Sequence, residues 1–133
     1  MSLFVPQQII EKTRSGGAVT QGEFIAVVKS SLPKAWAIVE DLASRLEACT
    51  ADRTHVTHEP VDMDDETRGQ LLRMMASNAI RGAVERHYGF VLAFQNCHKT
   101  GIFRPSAVGG VEWRRFVSLE SQVLNQTPER RSC

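Results

Sequence analysis

A thiol, an imidazole and an ammonium are adjacent at Cys97, His98 and Lys99, inside the stretch Gln95-Asn96-Cys97-His98-Lys99-Thr100-Gly101. The thiolate is the reactive form of cysteine, and neighbouring cations lower the pKa at which it forms. The chemistry implied is nucleophilic or redox, with His98 as base and Asn96 as the nearest group able to orient it. Two arguments weigh against it. Successive strand residues face opposite ways, so sequence neighbours need not be spatial ones. Free cysteine is also most often a small buried hydrophobe. No catalytic residue is therefore assigned, and Cys97 and His98 stand as the only candidates.

A second kind of chemistry is metal binding. His55-x-x-His58 could chelate, with His87, Cys97 and His98 completing a set after folding. Structural zinc sites bring ligand pairs at recognisable spacing; neither Cys-x-x-Cys nor His-Glu-x-x-His is present. Solvated loop histidines account for His55 and His58. His87 suits the negative end of a helix dipole without any further role. The expectation is no metal and no cofactor.

Nucleic acid is the third possibility. Thr20 to Ala26 followed by Ser30 to Lys34 has some of the character of a helix-turn-helix start. Lys29, however, stands where the turn glycine belongs, and Pro33 occupies the would-be recognition surface. Lys34 is the only side chain in that first turn able to address base edges. Arg68, Arg73, Arg81 and Arg86 on a later helix are offset by Asp64, Asp65, Glu66 and Glu85. No phosphate-cradling glycine loop occurs.

The elements that must position these groups follow from periodicity. Pro6 opens a helix reaching about Ser15, ended by Gly16-Gly17. Thr20 and Glu23 form a Thr-x-x-Glu capping box ahead of Phe24 to Val28. Pro33 opens a third helix to about Ala48, with Trp36, Val39, Leu42, Ala43 and Leu46 along one stripe. Residues 49–63 have no periodicity and read as a long loop. Asp64, Asp65 and Glu66 then suit the start of a helix running to Tyr88, capped by Gly89. Phe90 to Phe94 and Ile102 to Arg104 flank a turn and form a hairpin. Trp113, Phe116 and Val117 make a small apolar face, Ser118 caps a last helix with Leu119, Val123 and Leu124, and residues 129–133 should fray.

The fold class expected is α+β, mainly helical: one domain over residues 1–133, about five helices and a two-stranded β-hairpin near residues 90–105. A net charge of +1 gives no general attraction to nucleic acid or acidic lipid. No apolar run approaches the roughly 20 residues of a membrane span, and no secretory signal is expected at the amino terminus. Cys49, Cys97 and Cys133 form an odd, unpatterned set, which reads as reduced thiols in a cytosolic protein.

No single activity follows from these residues. The leading expectation is a small cytosolic helical protein that binds a protein partner or a small ligand, with a homo-oligomer compatible and a membrane or nucleic acid disfavoured. Gln95, Asn96, His98 and Lys99 at the hairpin tip, with Trp113 nearby, are the expected binding residues. Trp113, Phe103 and Phe116 are expected to line a cleft, and alanine at the tip positions to leave stability nearly unchanged. A Cys97-based thiol enzyme or redox sensor and a helix-turn-helix-like DNA-binding regulator are the alternatives.

Overall fold

The structure, a computed structural model, describes residues 3–58, 63–95 and 99–125. It is α+β and mainly helical, with seven α-helices among the described residues and a three-stranded antiparallel sheet. No described helix is long and apolar enough to cross a membrane. Helix α1 covers Gln7–Arg14, and α2 covers Gln21–Ser31. The capping box is present as the sequence indicates: the Thr20 hydroxyl accepts from the Glu23 amide at 3.1 Å, and the Glu23 carboxylate accepts from the Thr20 amide at 3.3 Å.

Helix α3, Pro33–Glu47, is the spine of the molecule. Its stripe of Trp36, Val39, Leu42, Ala43 and Leu46, joined by Ala35, is buried throughout. Helix period and hydrophobic spacing coincide here, so burial of one face follows directly. In the same core lie Val28 and Leu32, Leu71 and Met74, Ile80 and Val84, and from the sheet Val56, Leu92 and Ile102.

The helix expected over residues 64–88 is two helices, α4 at Asp65–Ala76 and α5 at Asn78–Tyr88. Ser77 between them is extended, at φ −94° and ψ 117°, and its hydroxyl accepts from the Ile80 amide at 3.2 Å. Arg81 donates to the Met75 carbonyl at 2.8 Å, satisfying an acceptor left open where α4 ends. A serine cap carries no glycine or proline signature, and the apolar spacing runs on through it. Ser77→Ala should therefore cost about 1 kcal/mol in urea denaturation; an unchanged midpoint would assign the break to packing alone. Gly89 closes α5 at φ 75° and donates to the Glu85 carbonyl at 2.8 Å, the left-handed cap that its position indicates.

The stretch 49–63 is not simply a loop. It contains strand β1, His55–His58. Strands β2, Val91–Gln95, and β3, Lys99–Phe103, form the expected hairpin. The order is β1-β3-β2, so β3 is central and the hairpin belongs to a three-stranded sheet. The registers set His55 and Val91 opposite Phe103, and Gln95 opposite Lys99. Alternation then assigns the faces. Val56, Leu92 and Ile102 turn towards the helices, while His55, Ala93, Gln95, Gly101 and Phe103 turn the other way.

That outer face has a cover of its own. After a 3-10 turn at Pro105–Ala107 come α6, Val111–Phe116, and α7, Leu119–Leu124. Ala93, Phe103 and Phe116 form a second small core with Ala107 and Trp113 packed against it. Gly101 makes this possible, since a Cβ there would lie 3.0 Å from the Phe116 ring. The sheet is thus a middle layer, with helices on one side and the C-terminal segment on the other.

Candidate functional site

The residues singled out in the sequence are arranged around the outer face of the sheet. Phe103 is fully buried there. The His55 ring stacks on it with centroids 4.6 Å apart and planes 5° from parallel, while Trp113 and Phe116 meet it edge-on at 5.0 and 5.4 Å. Cross-strand pairing explains the stack, because His55 and Phe103 are direct partners in the register. The expected cleft among Trp113, Phe103 and Phe116 is corrected by this packing: the three rings fill the space against one another.

Gln95 also departs from its expected place at a solvent-facing tip. It is 6% exposed. Its amide nitrogen donates to the Phe116 carbonyl at 2.6 Å, and its carbonyl oxygen accepts from the Asn125 amide nitrogen. Buried amides need partners on both ends, and these two lie in segments 21 and 30 residues downstream. Gln95 thus clamps the end of β2 to the C-terminal cover. Lys99, opposite it on β3, is half-buried. Asn96, Cys97 and His98 lie outside the described residues, so the thiol cluster has no geometry here.

Beside the aromatic stack opens a polar groove of about 530 Å³, lined by Thr50, Asp52, Arg53, Thr54, His55 and Glu112. Arg104, just after β3, ties the segment that lines it to α3 by donating to three carbonyls: Arg53 at 2.8 Å, Leu46 at 3.0 Å and Thr50 at 3.4 Å. The Leu46 oxygen belongs to the last turn of α3 and also accepts from the Cys49 amide at 3.1 Å. His55 hydrogen-bonds through Nδ1 to the Thr54 hydroxyl at 2.8 Å. Burial is the main cause that holds its imidazole below the usual histidine range, with Arg53 and Lys99 acting the same way and Glu112 opposing.

The other two histidines are elsewhere. His58, three residues along β1, belongs to the opposite face, where burial again lowers its pKa and Asp41 of α3 opposes the shift. His87 is exposed at the end of α5, edge-on to Tyr88 at 4.8 Å and tilted against Trp36 at 5.4 Å. Strand alternation parts His55 from His58, and α5 carries His87 away from both. Among the described residues no three His, Cys, Asp or Glu side chains gather as they would around a metal ion.

Lys34, the side chain on which a DNA-reading α3 would rely, is held by carboxylates. It pairs with Asp64 at 2.9 Å and Glu66 at 2.7 Å, which raise its pKa. Trp36 and Val39 on the same helix are core.

One surface was not marked as a site by sequence reasoning. Leu119, Val123 and Leu124 on α7 are 81%, 69% and 64% exposed, and Val111 and Val117 nearby are also open to solvent. Ser118 and Ser121 anchor this helix by donating to the Arg115 carbonyl at 2.8 and 2.6 Å. Leu119 and Val123 are one helical turn apart, which puts them on one face. That spacing was readable; what the sequence did not reveal is that the other side of the segment already rests on the sheet. Monomers seldom leave contiguous apolar surface uncovered without a partner. Around it stand Glu112, Arg114, Arg115 and Glu120, of which Arg115 and Glu112 pair loosely at 3.4 Å.

No curated protein and no solved structure matches the chain. A family model does match, over residues 1–133, under the description NucS shadow ORF. The chain belongs to the NucS shadow ORF family.

Proposed function

We propose that the protein works by binding another polypeptide through the apolar face of its C-terminal helices, with a second copy of the chain as the partner. The observation that carries this reading is the row Leu119, Val123 and Leu124, three large aliphatic side chains on an anchored helix with most of their surface in water. Burying such side chains is worth about 1.5–3 kcal/mol each, so association is the natural way to cover them. The rim favours a copy of itself. Glu112 and Glu120 flank Arg114 and Arg115, and a two-fold contact that sets the arginines of one copy against a glutamate of the other repeats the same pairing twice. The reading keeps the cytosolic, reduced-thiol setting indicated by the three cysteines.

The small-ligand form of this reading draws on the polar groove at His55. The thiol-enzyme alternative rests on Cys97 and His98, which lie outside the described residues. The DNA-binding alternative is weakened by the pairing of Lys34 and the burial of Trp36.

Sedimentation of the full chain over a range of concentrations tests the proposal. The expected outcome is reversible dimerisation, abolished in Leu119→Glu/Val123→Glu, with the helical dichroism kept because both positions are exposed and a thermal midpoint that no longer rises with protein concentration. A chain that stays monomeric at its solubility limit would overturn it, as would a double variant that dimerises like wild type.

A further inference from the structure

We propose that the gap between α1 and α2 binds the hydrocarbon chain of a free medium-chain carboxylate, with Arg14 holding the headgroup. Helix α1 has no buried residue, although Ile9 and Ile10 are half-buried against α2. The helix is held at a distance by polar clasps. At its entry the Phe4 amide donates to the Ser31 hydroxyl at 2.8 Å, and near its exit Lys12 pairs with Glu23 at 2.6 Å. These contacts set a spacing that the aliphatic side chains do not close.

What remains is a cavity of about 310 Å³, walled by Val5, Ile9, Ile10, Val19, Phe24 and Val27. It falls at the small end of the roughly 300–1,000 Å³ typical of ligand pockets. The Thr13 hydroxyl on the wall already donates to the Ile9 carbonyl at 2.8 Å.

Arg14 is the one charged residue in that lining. It is exposed and has no carboxylate partner among the described residues, whereas Lys12 is committed to Glu23. A guanidinium presents a planar fork matched to a carboxylate. Hydrocarbon walls and one unpaired cation at the edge select an amphiphile with a single anionic head. A sugar or nucleotide would leave its polar groups unpaired against these walls.

Calorimetric titration with sodium decanoate below its micelle concentration, with methyl NMR of the full chain, tests the site. Saturable one-to-one binding is expected, with shifts concentrated at Val5, Ile9, Ile10, Val19 and Val27. Arg14→Gln should weaken it about tenfold, and decanol should bind the wild type correspondingly less well than decanoate. Ile10→Trp should fill the space and remove binding. If that variant does not fold, Arg14→Gln, at an exposed position, still decides. Equal binding of decanoate and decanol, indifference to Arg14→Gln, or no saturation would each overturn the proposal. So would partition onto anionic phosphatidylglycerol vesicles without any binding of free decanoate.

Discussion

Phe103→Ala should remove about 3–5 kcal/mol, the range for emptying a fully buried aromatic site. Total stability for a domain is only about 5–15 kcal/mol, so the variant should lose a large fraction of it. The size of the effect comes from where Phe103 stands. It is the last residue of the central strand, and its ring contacts His55 from the neighbouring strand and Trp113 and Phe116 from the C-terminal cover. Alanine leaves all three without a centre. Chemical denaturation measures the loss, and the near-ultraviolet dichroism of Trp113 should collapse with it. Phe103→Leu, which keeps most of the volume, should lose distinctly less. A decrease below about 1 kcal/mol for the alanine variant would mean that the outer layer does not pack as described.

Gln95→Ala should be the next most damaging of the proposed changes. It strips the Phe116 carbonyl and the Asn125 amide of their shared partner, and each buried polar group left unsatisfied costs about 1–3 kcal/mol. The expected outcome is a lowered denaturation midpoint, together with selective loss of amide protection in α6 and α7. A double-mutant cycle with Asn125→Ala isolates the coupling, expected at about 0.5–3 kcal/mol. Additive effects would show that the two amides act independently. This reverses the sequence expectation that alanine at the tip is nearly neutral, at least for this residue.

The contrast shows what kind of information the sequence holds. Elements fixed by local rules were legible: the Thr20–Glu23 box, the buried stripe of α3 and the glycine at position 89 each follow from residues within a turn or two of one another. The hairpin was legible because aromatic and β-branched residues flank a turn. β1 was not. Among its four residues only Val56 is buried in the helical core, and its partner strand lies more than forty residues later, so no periodicity announces it. The break at Ser77 was hidden because a serine cap leaves the apolar spacing undisturbed. The candidate site suffered most from this limit. Alternation alone foresees that adjacent tip residues part company, but the clamp at Gln95 depends on partners from distant segments. The openness of Leu119 and Val123 likewise depends on which side of the last helices meets the sheet.

The position of β3 within the sheet governs the order in which the sheet can be assembled. Both outer strands hydrogen-bond to β3 and not to each other. During synthesis from the amino terminus, β1 and β2 emerge before the one strand that can join them. The helices α1 to α5 can collapse early around local contacts, whereas β1 must wait, its backbone groups served by water. The ladder therefore cannot form until β3 has been made, and a chain arrested before Lys99 would lack both of its pairings.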